Sequence, residues 1–226
     1  MDPMKIEPKS CKKGGFNPYV DNGGTVVAIG GKDFCLLGGD TRTSEGYDIL
    51  SRKTSKITQL TRNAAIASSG MLTDIVRFHK IILARIRNYE YKMHKEPSLE
   101  ALSYLISKEL YMKRFMPYYA FNLLGGIDSE GKGGVFCYDA IGTLERVTYG
   151  SMGSGTQLVI PVLDNQLKGY NNINGKPCES FELAVNLLKD IMNSCAERDI
   201  YTGDQLELLV ITPEGSKSEF SLLRAD

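Results

Sequence analysis

The chain has 226 residues, and its 27 lysines and arginines balance its 27 aspartates and glutamates. This length suffices for one large domain with a well-buried core, and a formal net charge of zero creates no overall field that would attract nucleic acid or anionic lipid. We therefore expect a single-domain protein with neither a nucleic-acid nor a membrane partner.

Cysteine usage and the N-terminal sequence bear on the cellular compartment. The five cysteines are odd in number, widely spaced and without a C-x-x-C pair, which argues against a disulfide framework or a zinc site; they are Cys11, Cys35, Cys137, Cys178 and Cys195. The polar N-terminus MDPMKIEPKSCKKGGF has no apolar signal-peptide core, and no later stretch approaches a membrane span. These features predict a soluble protein of a reducing compartment, with no metal.

The first third of the chain carries strand signals. Two apolar runs, Thr25 to Ile29 and Phe34 to Gly39, flank GGKD and predict a hairpin. A second pair of strands is expected at Lys56 to Leu60 and Ala64 to Ser68. The domain therefore opens with strands.

Helical periodicity follows. Apolar residues recur every three or four positions from Leu72 to Tyr89, which predicts an amphipathic helix, and Ser98 is the expected N-cap of a second helix. We expect His79 and His94, on and just beyond the polar face of the first helix, to be solvated surface residues.

The same order repeats in the second half. Strands are expected at YYAFNLLGGID, GGVFCYD and LERVTYG, with a tight turn from Asp139 to Gly142 between the last two. Helices are expected from Gly155 to Leu167 and from Ser180 to Ala196, and LELLVIT, PEGS and FSLL predict a closing hairpin. The tyrosine-rich FMPYYAF is interpreted as part of a buried strand or a subunit contact, because no basic stripe accompanies it.

The arrangement of these elements indicates the fold class. Strands and helix pairs come in blocks and do not alternate singly, which disfavours parallel βαβ winding. The sequence therefore predicts an α+β fold, in which two antiparallel sheets are covered by helix layers.

Four sequence pieces in order carry a family resemblance. They are GGTVVAIGGKDFCLLGGDTRTSEG, a lysine sixteen residues after Asp40, MGSGT and ERDIYTGD. Together they resemble a proteasome beta subunit of the N-terminal-nucleophile hydrolase superfamily, and FMPYYAFNLLGGID and AERDIYTGD look like the sixth beta position of the eukaryotic ring. The resemblance implies a four-layer αββα sandwich formed by residues 24–226, after an N-terminal extension of residues 1–23.

Family chemistry requires a threonine at the mature N-terminus, whose hydroxyl attacks while its own amine takes the proton. On the family pattern this position falls on Gly24, which has no attacking atom. Asp40 and Lys56 match the carboxylate and ammonium beside the nucleophile. The remaining matches are Ser154 in the GSG loop, the late aspartate Asp199, and Thr202, where active members usually have serine.

Two interpretations stay open at this stage. Thr25 is the alternative nucleophile if the chain is cleaved after Gly24, although a one-residue slip on a strand turns a side chain to the opposite face, which would direct the Thr25 hydroxyl away from the cleft. The retained polar residues also have a structural interpretation, as a buried Asp40–Lys56 ion pair and as a polar network that fixes loops.

The resemblance implies a non-catalytic building block of the proteasome core. Its partners would be the other beta subunits of a seven-membered ring, the opposing beta ring and the alpha ring, in ubiquitin-dependent degradation in cytoplasm and nucleus, without a cofactor. We expect Phe16 to Gly23 to remain attached and to lie over the inner face. Asp139, Ala140 and Ile141 are expected at the rim of a neighbour's substrate pocket, unless they form an ordinary solvated turn.

Overall fold

A computed structural model describes residues 18–168 and 180–225. The elements of the first half are, in order, β1 (Thr25–Gly30), β2 (Cys35–Asp40), β3 (Thr43–Glu45), β4 (Asp48–Ser51), β5 (Ile57–Thr61), β6 (Ala64–Gly70), α1 (Leu72–Met93) and α2 (Leu99–Tyr111). Those of the second half are β7 (Ala120–Ile127), β8 (Gly133–Tyr138), β9 (Leu144–Val147), β10 (Tyr149–Gly153), α3 (Thr156–Leu163), a π-helical segment (Asp164–Lys168), α4 (Phe181–Ala196), β11 (Gln205–Thr212) and β12 (Gly215–Leu222).

Two antiparallel five-stranded sheets form the centre of the fold. The first sheet has the strand order β10-β1-β2-β11-β12, and the second has the order β5-β6-β7-β8-β9. Strands β3 and β4 form a separate hairpin. This hairpin was not predicted from the sequence, because its strands are only three and four residues long and carry little periodic signal.

Three groups of buried side chains define the layers. Leu36 and Leu206 of the first sheet pack with Val159 and Leu188 of α3 and α4. Helices α1 and α2 pack on the second sheet, and a third cluster, which includes Val26, lies between the two sheets. The predicted four-layer αββα sandwich is therefore confirmed.

Most predicted elements are present, including the N-cap of α2, where Ser98 Oγ accepts from the backbone N–H of Ala101 at 3.2 Å. The stretch LERVTYG was wrongly predicted as one strand. It divides into β9 in the second sheet and β10 in the first, so the chain crosses between the layers at Thr148. The backbone carbonyl of Thr148 accepts from the N–H of Gly30 at 2.7 Å.

Two further predictions need adjustment. The helix expected from Gly155 to Leu167 is α-helical only as far as Leu163 and continues as the π-helical segment. Pro161 lies in the last turn of α3, where its missing backbone N–H removes one helical hydrogen bond. In FMPYYAF only the last two residues belong to β7, whereas Phe115 is 96% exposed in the connection after α2.

The prediction that His79 is solvated was wrong. His79 is buried between α1 and the second sheet. Its Nδ1 lies 2.8 Å from Thr58 Oγ1, and its Nε2 lies 2.7 Å from Ser68 Oγ. Ser68 donates its own proton to Asn122 Oδ1 at 2.6 Å. His79 Nε2 must therefore donate to Ser68, and Nδ1 accepts from Thr58, which is the bonding pattern of a neutral imidazole. His94 is exposed, as expected.

We predict that His79 makes the stability of the full chain depend on pH. Burial lowers the pKa of His79 from 6.5 to about 4. The unfolded chain therefore binds more protons in this window, and the free energy of unfolding should fall by about 2 kcal/mol between pH 7 and pH 5 because of this residue. Denaturant unfolding at the two pH values measures the effect.

His79→Gln should remove this component of the pH slope. His94→Gln is the matched control, because His94 is exposed at the end of α1, and its slope should equal that of the unmodified chain. Equal slopes for all three proteins would contradict a neutral buried His79.

Candidate functional site

Gly24 lies immediately before β1 and has backbone φ of +87°, which is accessible mainly to glycine. A Cβ atom at this position would lie 2.3 Å from Lys56 Cε, 2.6 Å from Lys56 Nζ and 2.8 Å from Asp40 Oδ1. The direction of a side chain at position 24 is therefore toward Lys56 and Asp40, as the family pattern implies.

Lys56 is almost completely buried, and its ammonium group is fully bonded. Nζ donates to the backbone carbonyls of Asp40, at 2.9 Å, and Arg42, and it lies 3.2 Å from Asp40 Oδ1. An ammonium group has three N–H donors. These three acceptors use all of them, so Lys56 has no donor left for another group.

Asp40 is the fully buried partner of Lys56. Its Oδ1 accepts from the backbone N–H of Thr25 at 2.7 Å, and its Oδ2 accepts from the N–H of Arg42 at 3.1 Å. Burial raises the pKa of Asp40, whereas the Lys56 charge and these hydrogen bonds act to lower it. Both carboxylate oxygens accept hydrogen bonds, which is the pattern of an ionised group held by its surroundings.

The hydroxyl groups of the site form a second network. Thr202 Oγ1 donates to Asp199 Oδ2 at 2.6 Å, so the Thr25 hydroxyl, 2.7 Å from Thr202 Oγ1, donates to Thr202. Thr25 Oγ1 in turn accepts from the backbone N–H of Gly155 at 2.9 Å. Ser154 Oγ completes the network by donating to Asp199 Oδ2 at 2.6 Å.

Thr25 connects the two networks, because its backbone N–H bonds to Asp40 and its hydroxyl bonds to Thr202. The backbone carbonyl of Gly24 is also bonded to the second network. It accepts from the N–H of Ser154 at 3.1 Å and from Ser69 Oγ at 2.8 Å. The structure thus brings together all the residues that the sequence assigned to this site: Gly24, Thr25, Asp40, Lys56, Ser154, Asp199 and Thr202. Ser69 was not predicted, because a serine within an apolar strand gives no sequence signal for this contact.

The buried ion pair of Arg42 with Asp204 was also not predicted from the sequence. Arg42 Nε donates to Asp204 Oδ2 at 2.9 Å, and Nη1 donates to the carbonyl of Ile200 at 2.9 Å. Arg52 makes a further short ion pair with Asp204. Burial acts to raise the pKa of Asp204, but the hydrogen bonds and charges of the two arginines keep it below its usual range. Arg42 therefore fixes the loop that carries Asp199 and Thr202.

The turn from Asp139 to Gly142 lies apart from these networks, between β8 and β9. Asp139 Oδ1 accepts from the backbone N–H groups of Ile141, at 3.0 Å, and Thr143, at 2.7 Å. Ser107 of α2 donates to the carbonyl of Gly142 at 2.5 Å. The turn is therefore internally braced and anchored to α2, with Ala140 half-buried and Ile141 38% exposed.

The described residues also bear on a metal site, a membrane span and the state of the cysteines. Within it, no group of three or more histidine, cysteine or acidic side chains could hold a metal ion. None of the helices in residues 18–168 and 180–225 is long and apolar enough to cross a bilayer. Cys35, Cys137 and Cys195 are free cysteines, and Cys11 and Cys178 lie outside the described residues.

Comparisons with known proteins agree with the fold and the site. A family model described as "Proteasome subunit" matches residues 20–211. The chain is 48% identical to proteasome subunit beta type-1 of Arabidopsis thaliana, over 93% of this chain and 97% of the relative. It is 50% identical to the rice protein of that name, over 92% and 96%. The Drosophila melanogaster protein of that name is 41% identical, over 93% and 91%.

We predict that Gly24→Ala destabilises the chain beyond the backbone strain alone. A non-glycine residue with positive φ costs about 1–3 kcal/mol, and here the new methyl must also displace a buried, fully bonded lysine. Denaturant unfolding of the full chain measures the total loss.

Gly131→Ala is the matched control for this comparison. Gly131 has φ of +81°, and a Cβ there would meet no heavy atom within 4 Å, so the variant reports the strain without the clash. Equal losses of stability in the two variants would show that Lys56 moves aside freely.

Proposed function

Because this chain belongs to the proteasome subunit family, we propose that it is a non-catalytic beta subunit of the proteasome core particle. Relatives named proteasome subunit beta type-1 match it over more than nine tenths of its length. The proposed domain comprises residues 24–226, and residues 1–23 form its N-terminal extension.

One observation carries the proposal that the subunit is inert. The position that faces Lys56 and Asp40 is Gly24, which has neither a hydroxyl nor a thiol to attack a carbonyl carbon. The neighbouring polar groups support the same conclusion, since the lysine donors are saturated by protein acceptors. The Asp40–Lys56 pair then acts as an internal brace of the strands and loops around it.

The contribution of such a subunit to proteolysis is architectural. We propose that it occupies one position of a seven-membered beta ring that contacts a second beta ring and an alpha ring. Neighbouring subunits would cut unfolded, ubiquitin-marked chains inside the particle, in cytoplasm and nucleus. No step assigned to this chain requires a cofactor.

The segment before Gly24 supports the view that the N-terminus is not released there. Asn22 and Gly23 are part of the hydrogen-bonded structure, with the carbonyl of Gly23 accepting from Ser69 Oγ at 3.1 Å. We propose that Phe16 to Gly23 stay attached in the assembled particle and lie over its inner face; Phe16 itself is outside the described residues.

The second candidate function is that of a threonine endopeptidase that uses Thr25 after cleavage. Its favourable observation is that the Thr25 nitrogen contacts Asp40 and its hydroxyl belongs to the Thr202–Asp199 network. Against it, the Thr25 hydroxyl is completely buried, and it donates its proton to Thr202 while it accepts from Gly155. A nucleophile needs an accessible oxygen and a base to take its proton.

Intact mass and N-terminal sequencing of the subunit from the purified particle separate the two functions. We expect an N-terminus upstream of Gly24 and no covalent label from an electrophile that targets terminal threonines, because this chain exposes no such group. Labelled catalytic subunits of the same particle are the positive control. A terminus at Thr25 that carries the label would overturn the non-catalytic assignment.

We also propose that the turn of Asp139, Ala140 and Ile141 edges the substrate pocket of a neighbouring subunit. The support is its rigidity, since Asp139 braces the turn and α2 anchors it, so a side chain at the tip is presented in a fixed place. Ala140 is half-buried and small, and it leaves room for an apolar substrate side chain.

Ala140→Asp should weaken the binding of apolar inhibitors and substrates at one neighbouring site. Crowding that rim with a charge costs about 1–3 kcal/mol, which corresponds to a loss of about tenfold or more in affinity. The measurement is the set of peptidase activities and inhibitor profiles of the assembled particle. Ser129→Asp, in the exposed turn between β7 and β8, is the matched control and should change none of them. Identical profiles for both variants would make the Ala140 turn an ordinary turn.

A further inference from the structure

A cavity of about 220 Å³ lies apart from the site around Gly24, at the place where α2 begins. Its walls come from the turn between β5 and β6, from the connection between α1 and α2, and from the end of β7. None of the residues that line it belongs to the networks around Gly24. Pockets for small-molecule ligands usually measure about 300–1,000 Å³, so this cavity has the size for a single side chain.

Small residues allow α2 to approach the second sheet at this place. Gly126 of β7 pairs with Ala64 of β6 and with Gly134 of β8. A Cβ atom on either glycine would lie 2.8 Å from a methyl carbon of Leu99, the first residue of α2. The first turn of α2 therefore lies directly on the sheet, and the connection that precedes it forms one wall of the cavity.

Asn63 contributes a buried acceptor to the cavity. Its Oδ1 is buried, and no donor in residues 18–168 and 180–225 bonds to it. The backbone carbonyl of Asn63 accepts from the N–H of Ile127 at 2.9 Å, which fixes the turn that carries the side chain. Because an unpaired buried amide oxygen is unfavourable, the cavity favours a ligand that donates a hydrogen bond.

The two charged residues that line the cavity are both acids, Glu96 and Asp128. Burial acts to raise the pKa of Asp128, but hydrogen bonds from the Lys132 N–H and from Arg146 hold it below its usual range. Arg146 balances the charge of Asp128, at 2.7 Å, whereas Glu96 has no ion pair with any residue that the structure describes. The start of α2 adds part of a positive charge, which Glu100 in its first turn offsets. The cavity therefore favours a cation.

We propose that this cavity receives one arginine side chain of a partner polypeptide. A guanidinium group presents five N–H donors in a planar fork, so one head group can serve both Asn63 Oδ1 and the Glu96 carboxylate. The methylene stem of an arginine suits the apolar walls formed by Pro97, Leu99 and Ile127. The source of the arginine rests on the proposed function, since it would be a neighbouring subunit of the core particle.

Blocked amino acids test the cavity on the full-length chain without the particle. The probes are N-acetyl-arginine N-methylamide and its neutral analogue of similar shape, N-acetyl-citrulline N-methylamide. In NMR titrations the arginine probe should shift the backbone amide signals of Ala64 and Ile127, which line the cavity. The citrulline probe should bind at least about tenfold more weakly, because it cannot make a charge-assisted bond to Glu96.

Variants of the two acceptors assign the binding to the cavity. Asn63→Leu should weaken the arginine probe at least about tenfold, because it removes the buried acceptor, whereas Asn63→Asp keeps the shape, adds a charge and should tighten binding. Glu96→Gln should abolish the preference for arginine over citrulline. Glu182→Gln, at an exposed site in the first turn of α4, is the matched control and should bind both probes as the unmodified chain does.

Cross-linking in the assembled particle tests the source of the arginine. A benzoylphenylalanine at the exposed position of Lys95, beside Glu96, should join on illumination to an arginine-containing peptide of another subunit. Replacement of that arginine by glutamine should lower the thermal stability of the particle as Asn63→Leu does. The two changes together should be no more harmful than either one, because they remove the same contact.

Each outcome decides the proposal. Equal affinities of the two probes, no binding, or unchanged binding in Asn63→Leu would show that the cavity holds water only and would overturn the site. Cross-links confined to this chain, or additive effects of the two changes, would overturn the partner arginine. The probe titrations use the chain alone, so their failure leaves the non-catalytic assignment intact. Conversely, a labelled terminus at Thr25 would overturn that assignment and leave the cavity unaffected.

Discussion

The ammonium group of Lys56 occupies the space into which a side chain of residue 24 would extend, and the surrounding site is organised around this contact. The lysine is buried, and its charge is balanced by Asp40 and by two backbone carbonyls. Removal of one member of such a pair leaves an uncompensated buried charge, which typically costs about 3–5 kcal/mol. This cost alone is a sufficient reason for the pair to be present, so its presence by itself is no sign of catalysis.

A second buried charge connects the site to the end of the chain. Arg42 follows Asp40 by two residues and binds Asp204, whose N–H donates to the carbonyl of Arg224 at 2.8 Å. The loop that carries Asp199 and Thr202 is thus held between the end of β2 and the C-terminal residues. Because burial and charge pairing act together here, they are sufficient to hold the polar groups around Gly24 in place.

The elements that carry a strong local pattern could be predicted from the sequence. The residues that lie together around Gly24 could also be predicted, from the family resemblance. The blocks of strands and helices give the layers, because apolar period and cap chemistry are local properties. The crossing at Thr148 could not be predicted, since Val147, Thr148 and Tyr149 all favour strands, whichever sheet each residue joins. The burial of His79 and of Arg42 could not be predicted for a related reason. A polar residue is buried only where the fold supplies a hydrogen-bond partner, here Ser68 for His79 and Asp204 for Arg42. Each partner is distant in the chain, so a local pattern does not reveal it.

The two sheets differ in how they can assemble during synthesis. In the second sheet β5 to β9 are neighbours in the same order as in the sequence, so each strand pairs with the one made before it, with α1 and α2 inserted between β6 and β7. The first sheet places β1 between β2 and β10, and β2 next to β11, so it joins segments from the two ends of the chain. The first sheet, which begins next to Gly24, is therefore completed only after β11 and β12 have left the ribosome. Until then the outer edges of β1 and β2 remain unpaired, and unpaired strand edges are sites that chaperones shield.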